Sequence, residues 1–388
     1  MQSVSPFSKN ALPIASAPEK VESAPKAAEH KNYGWILHPA IDVTLVCGGL
    51  IWIFALILVS GIFPELSCPN SKPVYIFSSI IYLLFAMPHS MATFLRVYNV
   101  KVTRQTVGIK VALLGVAATL TAIAATANPF LGSLIGRLTF CFSYQHFYAQ
   151  AYGIGLLYCY KRNFILTPWE KRIYFLFIQS GILLGAVRTI GVPELNLFGL
   201  KLMQIWPAFP GWVDQLCQGL VVLGALAFGA MVARKWFVQR QLMPVPAIMT
   251  TLSAFFLFAI LPGVPAIGGS LLVIYMLGHA LFHTPQYLMV TTAVHLKNVG
   301  LPESVPFSKI GTQIFSRTAL NYFLFLYAMA FIVMFFSSLS MCLAAPHMKV
   351  DLTMLFFCYL IALNLHHYWT DAIIWRMKDK ENRRLLLN

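Results

Sequence analysis

Long apolar stretches separated by short polar connections make up most of the chain after residue 34. Ten of these stretches are close to the roughly 20 residues that an α-helix needs to cross the core of a bilayer. They lie at about 43–63, 74–98, 107–127, 131–158, 172–192, 213–233, 246–263, 267–294, 320–343 and 351–375. Pro and Gly punctuate the connections, as at Asn128 and Pro129. The pattern predicts an all-α, polytopic integral-membrane helical bundle with about 10 transmembrane helices.

The two ends of the chain differ from this apolar part. Residues 1–34 are rich in Ser, Ala, Pro and Lys without an apolar run, which is typical of a disordered tail. They lack the pattern of a cleaved signal peptide, so the first span is expected to act as its own signal. The expected organisation is a disordered cytoplasmic tail (1–34), a transmembrane domain (35–378) and a basic cytoplasmic tail (379–388).

Composition and charge support a membrane protein and give its orientation. Hydrophobic residues make up 58% and charged residues 11%, against roughly 45–50% and about 25% in soluble domains. Of the 28 Lys and Arg, 22 fall on the side of the amino terminus, four on the other, and Arg96 and Arg137 lie inside spans. Basic residues stay on the cytoplasmic side of a membrane. We therefore expect both termini in the cytoplasm, a bacterial inner membrane, the lipid bilayer as partner and no nucleic acid.

Histidine is the chemically informative residue inside the predicted spans. An ionisable side chain in a bilayer is costly and indicates function until it is otherwise explained. In the predicted topology, four spans that run from outside to inside carry histidines in their second halves, so these side chains share one depth. They are His89, His146, His279, His283, His295, His366 and His367.

Helical spacing groups several of these histidines with polar partners. His279 and His283 are four residues apart and share a helix face, as do His367 and Asp371. His38 and Asp42 repeat the spacing at the mouth of the first span, where Asp42 also suits a helix amino terminus. Adjacent residues such as His366 and its neighbour cannot both point in one direction, so one of that pair is expected to be structural.

The donor set points to a metal with imidazole ligands. Neutral imidazole suits Fe, Zn, Cu or Ni, and the seven cysteines form no ligand-like pair. The competing interpretation for His89 and His146 is a hydrogen bond between helices. We expect Asp371 and Tyr287 as catalytic groups and the following metal ligands: His89, His146, His279, His283, His366 and His367.

These residues resemble those of the histidine-rich integral-membrane non-haem iron enzymes. That group includes membrane desaturases, hydroxylases and bacterial membrane-type carotene dioxygenases. His279 and His283 match the HxxxH box, and His366-His367 supplies the HH pair without its preceding His. Isolated histidines on several spans are similar to the dioxygenase type. The resemblance implies iron and an oxygenase-like reaction on an apolar lipid or isoprenoid, with an electron donor as partner.

Other function classes remain open on the sequence alone. Intramembrane His and Asp also suit a proton-coupled transporter, although no paired halves are seen. Haem ligation is a further alternative, with His279 or His283 opposite His146 or His89. An assembly factor whose histidines only join helices is the fourth interpretation. Metal analysis and an absorbance spectrum distinguish these classes.

Overall fold

The computed structural model describes residues 34–60, 62, 72–192, 195–197, 200–260, 278–299, 301, 307–348, 352–375 and 380–387. Apart from Gly34, the segment expected to be a disordered tail lies outside these residues. The longer helices in the described part are α1 (Gly49–Ser60), α2 (Lys72–Asn99), α3 (Lys101–Ala127), α4 (Pro129–Lys161), α5 (Pro168–Gly191), α6 (Gly211–Gln239), α7 (Val245–Phe255), α8 (Thr284–Val299), α9 (Arg317–Met348), α10 (Leu352–Ile374) and α11 (Lys380–Leu387).

Shorter elements connect these helices. Their bounds are Pro39–Ile41 (α-helical), Asp42–Val46, Phe256–Ile260 and His279–His283 (π-helical), Phe307–Gln313 (3₁₀), and the strands β1 (Leu195–Leu197) and β2 (Leu200–Leu202). The two strands form an antiparallel hairpin in which Asn196 pairs with Lys201. In the described part, each predicted apolar stretch falls on one of these helices or on a helix and its π-helical neighbour. Residues 267–277 of the eighth stretch lie outside the described residues.

The fold is a helical bundle with several helices that could cross a membrane. Four described helices are long and apolar enough, and a fifth span results if Pro39–Val46 and Gly49–Ile57, bent by 62°, count as one. The four are Thr103–Thr126, Pro168–Gly191, Gly211–Gln239 and Arg317–Leu343. The other long helices α2, α4 and α10 carry the polar side chains of the site described below, which lowers their apolar character.

The outward surface of α3 is apolar. Ile109, Leu113 and Leu120 are 75%, 64% and 61% exposed. Small residues of the same helix, Ala118 and Ala122, are buried in the common core, and α3 packs against α10. An apolar face directed outward and a small-residue face directed inward are what a bilayer favours. These features are consistent with an integral membrane protein.

A sharp bend separates the π-helical turn Asp42–Val46 from α1. Gly48 sits at the bend with φ of 85°, a conformation that suits glycine. A Cβ atom there would also lie 2.6 Å from the Cβ of Ser253. The Ser253 hydroxyl donates to the carbonyl of Cys47 at 2.9 Å and accepts from Trp52 Nε1 at the same distance. These contacts fix the bend at Gly48 and the start of α1 against α7.

Arg137 is a buried cation on α4, and backbone carbonyl groups accept hydrogen bonds from it. Its guanidinium is fully buried and donates to carbonyls at the carboxyl end of α5 and at the end of the hairpin. The closest acceptors are Val192, Thr189 and Met203, at 2.8, 3.0 and 3.0 Å. Carbonyls of a helix end lack intrahelical partners, so this arginine satisfies them. Its role is structural.

Helix α11 packs against the bundle, although residues 379–388 were expected to be only a basic tail. Leu385 is buried and its carbonyl accepts from Lys297 Nζ at 2.8 Å. Lys161 Nζ donates to the carbonyls of Leu386 and Leu387 at 3.4 and 3.5 Å. Burial, with the nearby charges of Lys161 and Arg384, lowers the pKa of Lys297 to about 7.

Candidate metal centre

Five histidines from three helices and one π-helical turn meet in the centre of the bundle. His89 lies on α2, His146 on α4, His367 on α10, and His279 and His283 on the turn before α8. The ring centroids of His89 and His367 are 4.4 Å apart, and those of His146 and His283 are 4.7 Å apart. All but His146 are nearly or fully buried. The structure thus brings together five of the six histidines expected to bind metal.

The π-helical turn positions the HxxxH pair. His279 and His283 begin and end this turn, and the Thr284 N–H closes it on the carbonyl of His279. Their ring centroids are 5.2 Å apart. The carbonyl of His283 accepts from Gln150 Nε2 of α4 at 2.9 Å. Such turns often occur at functional sites, and here the turn keeps both rings on the side that faces the other histidines.

Two pairs of imidazole nitrogens, both including His367 Nε2, stand at distances that suit ligands of one ion. His367 Nε2 lies 3.0 Å from His89 Nε2 and 3.1 Å from His146 Nε2. Two nitrogens that bind one ion at 2.0–2.1 Å stand about 2.9–3.4 Å apart in octahedral or tetrahedral geometry. A single proton on His367 Nε2 satisfies only one of these two contacts. The arrangement therefore leaves at least one lone pair without a donor unless a cation is shared.

The tautomer of His89 is set by the backbone of α2. His89 Nδ1 contacts the carbonyl oxygen of Ala86, which only accepts hydrogen bonds. In a neutral imidazole this places the proton on Nδ1 and the lone pair on Nε2, toward His367. A ligating histidine usually donates its second nitrogen in this way. Pro88 precedes His89 inside the helix, where it interrupts the normal ladder of backbone hydrogen bonds.

His283 has two ring nitrogens without a hydrogen-bond partner in the described part of the chain. The side chain is fully buried, and neither Nδ1 nor Nε2 has a hydrogen-bond partner among the described residues. A buried polar group without a partner costs about 1–3 kcal/mol. A metal ion bound to one of these nitrogens removes part of that cost. The unpaired nitrogens of His283 therefore fit a metal ion, which is the group that the histidine ligands imply.

Asp371 adds a carboxylate to one side of the cluster. Its Oδ2 lies 3.5 Å from His367 Nε2 and 3.8 Å from His146 Nε2. Its Oδ1 accepts from the hydroxyls of Tyr287 at 2.8 Å and Thr93 at 3.2 Å. One carboxylate oxygen is thus held by hydroxyl groups while the other faces the imidazoles.

Two overlapping groups of ligand atoms result. His89, His283 and His367 form the first, and His146, His367 and Asp371 form the second, with ligand atoms in each group within 4.8 Å of one another. His279 belongs to neither group, although its ring lies 4.8 Å from that of His89. Its Nδ1 lies 3.0 Å from the Thr284 hydroxyl.

His366 lies outside the centre, contrary to its expected role as a ligand. Its Nε2 donates to the carbonyl of Val111 on α3 at 3.1 Å, and its ring stacks on Phe94 at 4.8 Å. The Cδ2 atom lies 3.3 Å from where a Cβ on Gly115 would be. Successive residues of a helix point about 100° apart, so only one ring of the doublet reaches the cluster. His366 joins α10 to α3.

His38 and Asp42, the pair at the mouth of the first predicted span, also have a structural role. Asp42 accepts from the backbone N–H groups of Ile36 and Leu37 at 2.6 and 3.1 Å and from Tyr158 at 2.8 Å. The His38 ring is exposed and accepts from the N–H of Ala40 at 3.3 Å. The pair therefore fixes the helix start and is separate from the central cluster.

Thr93 is a further site residue, which the sequence pattern does not single out. Its hydroxyl lies 2.7 Å from both His367 Nδ1 and the Tyr287 hydroxyl. The available signal was its position four residues after His89, on the same helix face. Thr is common in apolar helices, so this spacing alone does not distinguish it from a lipid-facing or packing residue.

An apolar cavity of about 430 Å³ adjoins the cluster between α4 and α10. His146, Tyr287 and Asp371 form part of its wall. Most other wall residues are apolar, including Ile154, Leu157 and Trp375. Ligand sites are typically cavities of this size with a few convergent polar groups.

Together these features define a helical bundle with candidate membrane-spanning helices and a buried histidine–carboxylate centre beside an apolar cavity. Comparisons with protein-family models, curated proteins and solved structures returned no match for this chain.

Proposed function

We propose that the chain is a membrane-embedded, metal-dependent oxidoreductase that holds non-haem iron and acts on an apolar lipid or isoprenoid. The observation that carries this proposal is the pair of close contacts at His367 Nε2, 3.0 Å to His89 Nε2 and 3.1 Å to His146 Nε2, where two groups of potential ligands overlap. The fully buried His283, with two unsatisfied nitrogens, adds a fourth donor.

The ligand types are compatible with iron, which the resemblance to the histidine-rich membrane enzymes implies. One group consists of three imidazoles, and the other of two imidazoles and the Asp371 carboxylate; neither contains a thiolate. Such nitrogen and oxygen ligands occur in non-haem iron sites. An ion of this kind supplies activation of molecular oxygen. The protein itself supplies His89, His146, His283, His367 and Asp371 as candidate ligands.

Tyr287 and Asp371 have the positions expected of proton-handling groups. The Tyr287 hydroxyl donates to Asp371 Oδ1, and Trp375 Nε1 donates to the same hydroxyl at 3.3 Å. Both side chains also line the cavity. A proton can therefore be held between phenol and carboxylate at the boundary between the histidines and the cavity.

The cavity supports an apolar substrate. Its walls are mainly hydrocarbon and aromatic side chains, and the polar side chains include His146, Tyr287 and Asp371 with Gln145 and Gln150 on α4. Such a wall binds hydrocarbon and excludes water from the centre. An external electron donor is the remaining partner that a reaction of this class requires.

The proposed placement has ten spans with residues 34 and 380–387 on the cytoplasmic face of a bacterial inner membrane. The distribution of Lys and Arg along the sequence supports this orientation. The helices that pass the length and hydropathy criteria support membrane insertion. The remaining spans would be α7 and the helices that carry the polar site.

Haem is a less well supported cofactor. Two trans ligands of one iron at about 2.0–2.1 Å each stand about 4 Å apart. The nitrogen separations of 3.0 and 3.1 Å are too short for that arrangement and suit adjacent positions around one ion. A proton-coupled transporter is the alternative that a metal-free protein would favour.

Elemental analysis and an absorption spectrum of gently purified protein test the proposal. We expect iron in near-stoichiometric amount without the intense absorption band of haem. A haem spectrum, a different bound metal or the absence of metal would each contradict the iron assignment. Absence of metal would also lend weight to the transporter and assembly-factor alternatives.

A further inference from the structure

The cavity beside the cluster is long and follows one face of α4. Its α4 wall runs from Phe142 to Leu157 at helical spacing, and the opposite wall runs from Tyr368 of α10 to Trp375, which directly follows that helix. At 1.5 Å per residue, the α4 wall is about 22 Å long. This elongated shape suits a chain better than a compact ring system.

The polar groups lie toward one end of this groove. His146 is four residues from Phe142 but 11 residues from Leu157, which corresponds to about 16 Å along the helix. Leu386 of α11 lines the same groove, and its carbonyl accepts from Lys161, one turn beyond Leu157. The groove therefore extends from the histidine cluster along an apolar path toward α11.

Small and exposed residues form the open side of the groove. Ala149 and Gly153 follow His146 along α4, and both are exposed in the chain, as is Ala372 across the groove on α10. A Cβ atom placed on Gly153 would meet nothing within 4 Å. A larger side chain at this position therefore projects into open groove space, where it obstructs a bound chain.

We propose that the groove holds a single extended apolar chain, which enters from the side of the bundle and passes Gly153, where the absence of a side chain leaves room for it. The chain lies along α4 with one part beside His146 and Asp371 and its tail toward Leu157. The apolar wall, the length of the groove and the localised polar groups favour this occupant over a polar ligand. The identification of the chain as a substrate rests on the proposed function, whereas the binding site itself does not.

Photolabelling with a fatty-acid probe tests this inference. The full-length protein in detergent is irradiated with palmitic acid that carries a mid-chain diazirine, and labelled peptides are mapped. We expect saturable labelling of peptides from α4 and α10, competed by unlabelled palmitate far better than by octanoate. Each buried methylene group contributes roughly fourfold in affinity, so the shorter chain is a sensitive comparison.

Two blocking variants and a matched control locate the site. Gly153→Phe is expected to weaken saturable labelling at least about tenfold, because the new ring displaces several methylene groups. Ala149→Phe, one turn nearer His146, blocks the groove at a second level. Gly219→Phe is the control, since Gly219 is also an exposed helical glycine whose Cβ would meet nothing within 4 Å, on α6.

The outcomes separate this inference from the proposed function. Labelling that is not saturable, or that is equally strong in the blocking variants and in Gly219→Phe, overturns the chain-binding groove. Metal content is measured in the same samples and is expected to stay unchanged in Gly153→Phe. If the wild-type protein holds no metal but Gly153→Phe still loses saturable labelling, the groove stands and the iron-dependent function fails.

Discussion

A single backbone carbonyl fixes the tautomer of the His89 ring. The Ala86 oxygen accepts from Nδ1, so the lone pair of Nε2 is directed at His367. Thr93 performs a related task for His367 through Nδ1. These contacts orient the rings before any ion binds, so less conformational entropy is lost when the ion binds.

Asp371→Asn tests the role of the carboxylate. The amide keeps the shape of the side chain but loses its negative charge. We expect metal affinity to fall by roughly 10–100-fold, whether the group binds the ion or orients a ligand. Competition with a chelator of known affinity measures the change. Asp214→Asn, which alters an ion pair with Arg188, is the control, and equal affinities in the two variants would exclude a role for Asp371.

Some residues of the site follow from the sequence and others do not. The four-residue spacing of His279 and His283, and the shared depth of His89 and His146, predict a central cluster that the structure contains. The sequence does not decide which ring of the 366–367 doublet faces inward, because that depends on how α10 is rotated against α3. Thr93 was missed for a similar reason, since its partners come from α8 and α10.

At the scale of elements, the apolar stretches predict the helices well but not their irregularities. The stretch at 131–158 becomes α4, Pro129–Lys161, with the Asn128 side chain accepting from the N–H of Phe130 at its start. The π-helical turn His279–His283 was not predicted, because its hydrogen-bond pattern depends on contacts with neighbouring helices. That turn nevertheless sets the direction of the HxxxH pair.

Arg137→Met tests the link between α4, α5 and the hairpin. The substitution removes donors from several carbonyls, and each buried group left unsatisfied costs about 1–3 kcal/mol. We expect a loss of at least about 3 kcal/mol of stability, seen as a clearly lower thermal unfolding midpoint in detergent. Arg172→Met, at an exposed position of α5, should change stability by no more than about 0.5 kcal/mol. Similar midpoints for the two variants would contradict the capping role.

The lowered pKa of Lys297 predicts that docking of α11 depends on pH. A lysine whose pKa is lower in the docked than in the undocked state binds fewer protons when docked. Docking is therefore weakest below about pH 7 and strengthens as the pH rises toward the ordinary lysine value of about 10.4. Burial lowers the pKa of Lys161 as well, which acts in the same direction.

A nitroxide attached through Arg383→Cys, in a background with Cys342→Ser, reports this docking. We expect a larger mobile fraction in the spin-label spectrum at pH 6 than at pH 9. In Lys297→Met the difference should shrink, because the main titrating group is gone. Identical spectra at the two pH values in the parent protein would show that Lys297 does not control the docking of α11.

At the scale of the whole molecule, the hydropathy pattern predicts a helical membrane protein, and the structure agrees. Four or five described helices satisfy the criteria for a membrane span, fewer than the ten apolar stretches. The seventh and eighth stretches lie partly outside the described residues, and helices such as α4 carry the polar groups of the site. A count of ten spans stays a prediction.

Sidedness can be tested by cysteine labelling at the two ends of α5. Ile165→Cys and Gln204→Cys place thiols at exposed positions before and after this helix, again with Cys342→Ser. In intact cells, a membrane-impermeant maleimide should label position 204 and spare position 165 until the membrane is opened. Equal labelling of both positions in intact cells would contradict the proposed orientation.

The metal content of His283→Ala, compared with His366→Ala, tests the central claim most directly. Both variants remove a buried histidine close to the middle of the bundle, but only His283 faces the cluster. Elemental analysis should show that His283→Ala has lost most of its metal while His366→Ala retains the wild-type amount. Equal metal content in the two folded variants would contradict a metal centre built on these histidines.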